Sequence, residues 1–87
     1  MANITEINFI VGDLPEWYEE ETHDFFVENW LEQVAYAKFG EDIEKVNVEY
    51  AYSGGHFIQS WNEEGDLISE APFDMNGAFE AANKEIS

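Results

Sequence analysis

From Pro15 to Gln33 the chain reads PEWYEEETHDFFVENWLEQ, with seven carboxylates, five aromatic rings besides histidine, and no Lys or Arg. Whatever this segment folds into must keep like charges in water while giving the rings somewhere to pack. A helix with one apolar stripe meets both demands. At about 100° per residue, Phe26, Val27, Trp30, Leu31, Val34 and Ala37 share a face, and Glu21, Asp24, Glu28 and Glu32 fall on the flank and outside. Gly40 suits a C-cap, so the helix is predicted to run to about Phe39. Glu20 breaks the pattern, because a continuous helix would point it with Val34 into the core. The regular helix is therefore predicted to begin near Thr22 after a separate turn at 15–20, unless its first turn overhangs the sheet. Asp13 and Glu16 have capping-box spacing around Pro15.

Around this helix the periodicity changes to two. ITEINFIV (4–11) places Thr5, Ile7, Phe9 and Val11 on one face, and KVNVEYAY (45–52) does the same with Val46, Val48, Tyr50 and Tyr52. SGG (53–55) is a tight-turn signal, so HFIQSW (56–61) is predicted to return as a hairpin partner of 45–52. NEEG (62–65) leads to a further strand, DLISEA (66–71), which Pro72 ends. Asp74 can then cap a short helix with Met75, Ala78, Phe79, Ala82 and Ile86 on one face. The order is β-α-β-β-β-α. It predicts one α+β domain over residues 1–87, two-layered, with an antiparallel sheet of about four strands and helices on one face.

Composition narrows the function. Twenty acids face three lysines (Lys38, Lys45, Lys84) and no arginine, a formal charge of −17. Direct nucleic acid binding needs cations to displace condensed counterions, and anionic membranes need them too, so neither partner is expected. Hydrophobic residues make up 45% of the chain, enough to expect a folded core despite the charge. Cysteine is absent, no basic leader opens the chain, and no apolar run approaches a membrane span, so a cytoplasmic protein is expected, in the host cytoplasm if phage-encoded.

No catalytic constellation is expected. His23 and His56 lie on different elements without ligand spacing and are read as surface or capping residues. Ser53 sits three residues from His56, but no third group completes a triad. NEEGD lacks the calcium-loop pattern, and SGG has neither the lysine nor the helix of a phosphate cradle. No enzyme activity, metal or cofactor is predicted.

What remains is the acidity itself. A solvated helix face normally pairs Glu with Lys at i,i+4, whereas here Asp24, Glu28 and Glu32 are of one sign, each such pair costing about 0.2–0.5 kcal/mol. Carboxylates four residues apart rise about 6 Å along the axis, a curved row resembling one strand of phosphates. Glu16, Glu19 and Glu20 precede the row, Glu41, Asp42 and Glu44 extend it, and Glu63, Glu64 and Asp66 add a patch. Phe25 and Tyr36 project away from the core stripe as candidate anchors for a partner. The expectation is a nucleic-acid mimic that blocks the basic groove of a DNA- or RNA-handling enzyme, a nuclease or surveillance complex. In size and composition the chain is similar in kind to phage anti-restriction and anti-CRISPR proteins.

Three alternatives stay open. An immunity protein or antitoxin would use the same physics on one basic nuclease, and LPEWYEEE (14–21) resembles a segment of the barstar family of acidic ribonuclease inhibitors over those eight residues, a stretch that carries over neither fold nor sites. A halophilic domain is disfavoured by fifteen Glu against five Asp and by cations that are all Lys. An acidic adaptor without mimicry would rely more on the rings. A homodimer would lengthen the charged track.

Overall fold

The computed structural model describes residues 4–86. Its elements are β1 (Ile4–Val11), α1 (Glu20–Phe39), β2 (Lys45–Tyr50), β3 (Phe57–Asn62), β4 (Leu67–Pro72) and α2 (Asn76–Ile86), the expected β-α-β-β-β-α order. The sheet is mixed rather than antiparallel, with strand order β2-β1-β3-β4. β1 pairs parallel with β2, Ile7 opposite Val46 and Phe9 opposite Val48, and antiparallel with β3, Ile7 opposite Ser60 and Phe9 opposite Ile58. The parallel pair follows from α1: a long helix between two strands carries the chain back to the end where it started.

The predicted hairpin between β2 and β3 therefore does not form, because β1 lies between them. Residues 51–56 instead cross the end of β1. The Ala51 amide bonds the Val11 carbonyl, and the Asp13 amide bonds the Gly54 carbonyl. Gly12 is buried beneath this crossing, where a β-carbon would stand 2.1 Å from the Gly54 oxygen. Its own amide donates to His56 Nδ1 at 2.9 Å. The second turn is as expected: β3 and β4 form a hairpin closed at Asn62–Asp66.

β1 is central because it is the most apolar strand. Ile7, Phe9 and Val11 are fully buried and cluster with Val27, Leu31 and Ala35 of α1 and with Ala78, Phe79 and Ala82 of α2. The opposite side of the sheet carries a polar ladder, with Asn47 donating to Glu6, Asn8 to Gln59, and Gln59 to Glu70. β4 is exposed along its whole length, leaving Leu67 and Ile68 in water.

α1 ends at Gly40 as predicted, the Gly40 amide bonding the Tyr36 carbonyl. Its start differs: the helix begins at Glu20, which is exposed, after a turn closed by the Tyr18 amide on the Pro15 carbonyl. Asp13 does not cap it, and no side chain of the N-cap Glu19 does either. The core stripe is also rotated. It runs His23, Val27, Leu31, Ala35, while Ala37 is exposed and Phe26, Trp30 and Val34 are half-buried. α1 has two neighbours, and Trp30 faces the second: Gly77 of α2 comes so close that a β-carbon there would meet the indole at 2.9 Å. At α2 the expected capping residue does serve, since Asp74 accepts the Asn76 amide at 3.0 Å.

Candidate protein-interaction surface

Twenty residues of α helix extend about 30 Å, and the acids of α1 are distributed along that length. Glu20, Glu21, Glu28 and Glu32 are exposed, as are Glu16 and Glu19 in the preceding turn. Beyond Gly40, Glu41, Asp42 and Glu44 are exposed too, because only Ile43 of that connection turns inward. The fold then adds what the linear order does not show. Glu44 and Lys45 share a shallow concavity with Glu6 and Glu63, which brings the turn of the β3–β4 hairpin beside the end of the row.

Asp24 stands apart from this set. It is half-buried, and its carboxylate accepts the Tyr18 hydroxyl, so this acid is held by the fold. Beside it lies the buried Tyr50 hydroxyl, a neighbour of the Tyr18 hydroxyl, and Tyr52 stacks on Tyr50 with centroids 6.0 Å apart. Burial first, then the hydrogen bond to Asp24, pushes the Tyr18 phenol well above its ordinary range. Tyr50 moves the same way, through burial first and then the charges of Asp24 and Glu28. Glu28 is raised too, by desolvation of its carboxylate first and then by the charge of Asp24.

The sign of the tyrosine effect gives a test. Both phenols favour the protonated form in the fold, so their contribution is complete below the ordinary tyrosine pKa of about 10 and is lost as pH rises past it. On alkaline titration, phenolate absorbance from Tyr18 and Tyr50 is expected to appear together with the loss of far-ultraviolet dichroism. Smooth titration of every tyrosine with the dichroism intact would contradict this arrangement.

The two candidate anchors separate. Phe25 is 68% exposed, with its ring edge-on to Phe26 at 5.4 Å. Tyr36 is half-buried and packs against the core, so less of its ring is open than that of Phe25. Two further rings that the sequence pattern does not single out are exposed: Trp17, at 44%, and Tyr52, at 51%. Trp17 lies between Glu16 and Glu19 in the turn before α1, where no periodicity marks a side chain as inner or outer. Tyr52 extends the alternation of β2 by two residues, but its backbone leaves the strand with φ 63°, which turns the ring outward.

His23 is buried, contrary to a surface reading, yet it does cap. Its Nδ1 accepts the Glu19 amide at 2.8 Å, and its ring lies 5.0 Å from Tyr18 and 5.2 Å from Trp17. His56 likewise caps the Gly12 amide. Burial lowers its pKa, opposed by Asp13 and Asp74. Among the described residues no group of His, Asp and Glu side chains converges as a metal site, and no helix is long and apolar enough to cross a membrane. Comparison with protein-family models gave no match, and a search of curated proteins found no similar sequence.

Proposed function

We propose that the protein is an inhibitor that places the acidic face of α1 in the basic nucleic-acid-binding groove of a nuclease or surveillance complex, as a phage or mobile-element anti-defence protein of the anti-CRISPR or anti-restriction kind. The observation that carries the reading is the exposed run Glu20, Glu21, Glu28, Glu32, continued by Glu41, Asp42 and Glu44 and unbroken by any cation before Lys38. A groove built for phosphates holds a line of Lys and Arg, and the exposed acids from Glu20 to Glu32 present a line of negative charge about 18 Å long. A rigid helix offers such charges without a phosphodiester to cut. A chain of charge −17 also steers its own approach to a basic partner, a rate effect that salt suppresses.

The test has two parts. The tagged protein, immobilised at low salt, is challenged with lysate of its host and eluted with duplex DNA, then RNA, then salt. A basic nuclease or surveillance complex displaced by nucleic acid is the expected result. Against that isolated target, the triple variant E21Q/E28Q/E32Q is expected to bind roughly 10–100-fold more weakly, at about 0.5–1 kcal/mol per rim charge. Asp24 is left intact because Tyr18 holds it. Unchanged inhibition by the triple variant, or a target that nucleic acid does not displace, would overturn mimicry.

A further inference from the structure

The acidic row runs along one flank of α1; a different flank meets α2, and the two helices do not close over it. Between them lies a groove of about 340 Å³, floored by Phe25, Phe26 and Trp30, with Asn29 and Gln33 along one side. α2 contributes Ala81 and Glu85 to the opposite wall. Phe25 is the most exposed large apolar side chain of the described residues and stands on a regular helix, where Gln, Glu or Lys has the higher helix propensity. Acids stand at the rim of the groove. Glu21 precedes Phe25 by four positions and Glu28 follows by three, both helical neighbours, and Glu85 faces them from α2.

This combination limits the occupant. A second copy of the chain would bring Glu21, Glu28 and Glu85 against an identical acidic rim, so self-association through the groove is opposed by charge. Nucleic acid is opposed for the same reason. The space suits one or two side chains and falls at the small end of ligand sites. We infer that the groove receives an aliphatic or aromatic side chain from a segment of the partner protein whose neighbouring residues are Lys or Arg. The apolar residue would fill the space over Phe25 and Trp30, and the cations would meet Glu21, Glu28 and Glu85. This inference rests on the proposed basic partner, and it adds a contact that no phosphate makes. Mimicry alone would make the protein compete for any basic groove; an anchored side chain would confine it to targets with an apolar residue at the groove's edge.

The probe is a pair of synthetic peptides of equal length and equal positive charge, one with a central leucine among lysines and arginines, the other with serine in its place. Binding is followed on the isotopically labelled protein through the side-chain amides of Asn29 and Gln33, which line the groove and report on its occupancy. The leucine peptide is expected to bind about tenfold more tightly and to shift both amides. In F25S, which removes an exposed ring and leaves the core untouched, the preference is expected to fall to within about twofold, with the weak salt-sensitive binding of the serine peptide retained. Equal affinity for the two peptides, or a leucine preference that survives F25S with both amides unmoved, would overturn the inference. No nucleic acid enters this assay, so its outcome is separate from the displacement experiment. A leucine preference alongside a target that nucleic acid fails to displace would keep the groove and remove the mimic.

Discussion

Replacing Gly12 by alanine is expected to destabilise the protein by about 3 kcal/mol or more, a fall in melting temperature of roughly 12–24 °C for a domain of this size. The reason is the crossing of residues 51–56 over the end of β1. An added β-carbon would stand 2.1 Å from the Gly54 oxygen and 2.3 Å from the Gly55 oxygen, both of them backbone atoms. A side chain in the way can change rotamer, but a carbonyl moves only with its strand connection. To relieve the clash the loop must lift, and lifting breaks the bond from the Asp13 amide to the Gly54 carbonyl. It also draws His56 away from the Gly12 amide, leaving a buried donor unpaired. The control lies in the same loop. At Gly55 a β-carbon would meet only the Phe57 ring, at 3.6 Å, so G55A is expected to change stability by no more than about 0.5 kcal/mol. Thermal melts of the two variants decide the matter, and similar melting temperatures would mean that the crossing is looser than described.

That crossing also marks where reading the sequence stopped working. Each element could be located because each has local marks: the alternation of 4–11, the glycine after Phe39, the turn at 62–65, the aspartate ahead of α2. Pairing has no local mark. SGG after a strand is a sound hairpin signal, and the structure uses it to step over a third strand. Two facts in the sequence did bear on this. A strand, a long helix and a second strand favour a parallel pair, and the most apolar strand belongs in the middle of a sheet. Both pointed to β1 as the neighbour of β2.

The stripe on α1 went astray for a related reason. Six apolar residues were fitted to a single face, which drew the centre toward Phe26 and Trp30. Those rings serve a second contact, with α2, and the face toward the sheet is the stricter line Val27, Leu31, Ala35. His23 continues that line by one turn, but a polar residue type hid it. The exposure of the acids was more legible than the core. Charges are read as exposed by default, and the acids from Glu16 to Glu32 are exposed except for Asp24, whose tyrosine partner comes from outside the helix. Sequence alone could not separate Phe25 from Tyr36, since both leave the stripe and only tertiary packing decides which is covered.

The buried histidine is the second place where a large effect is expected, and it links the core to the proposed surface. His23 accepts the Glu19 amide, which makes it the cap that Asp13 fails to supply. Its ring also fills the space between Trp17 and Tyr18, and Tyr18 in turn packs edge-on against Phe79 of α2 at 5.6 Å. H23A removes the ring and orphans the amide together, with an expected cost of about 2–4 kcal/mol. H23F keeps an aromatic ring in place and loses only the acceptor, for about 1–2 kcal/mol. The difference between the variants therefore separates packing from capping, and hydrogen exchange at the Glu19 amide should quicken in both. If H23F matched the parent in stability and exchange, the cap would carry no weight. The functional consequence follows from position. Residues 15–19 hold Glu16, Trp17 and Glu19 ahead of the acidic row, and His23 fastens that turn to the helix together with the bond from Tyr18 to Asp24. Binding to a basic target should then fall in H23F by more than its loss of stability explains, because carboxylates on a frayed turn no longer stand in line with Glu21 and Glu28.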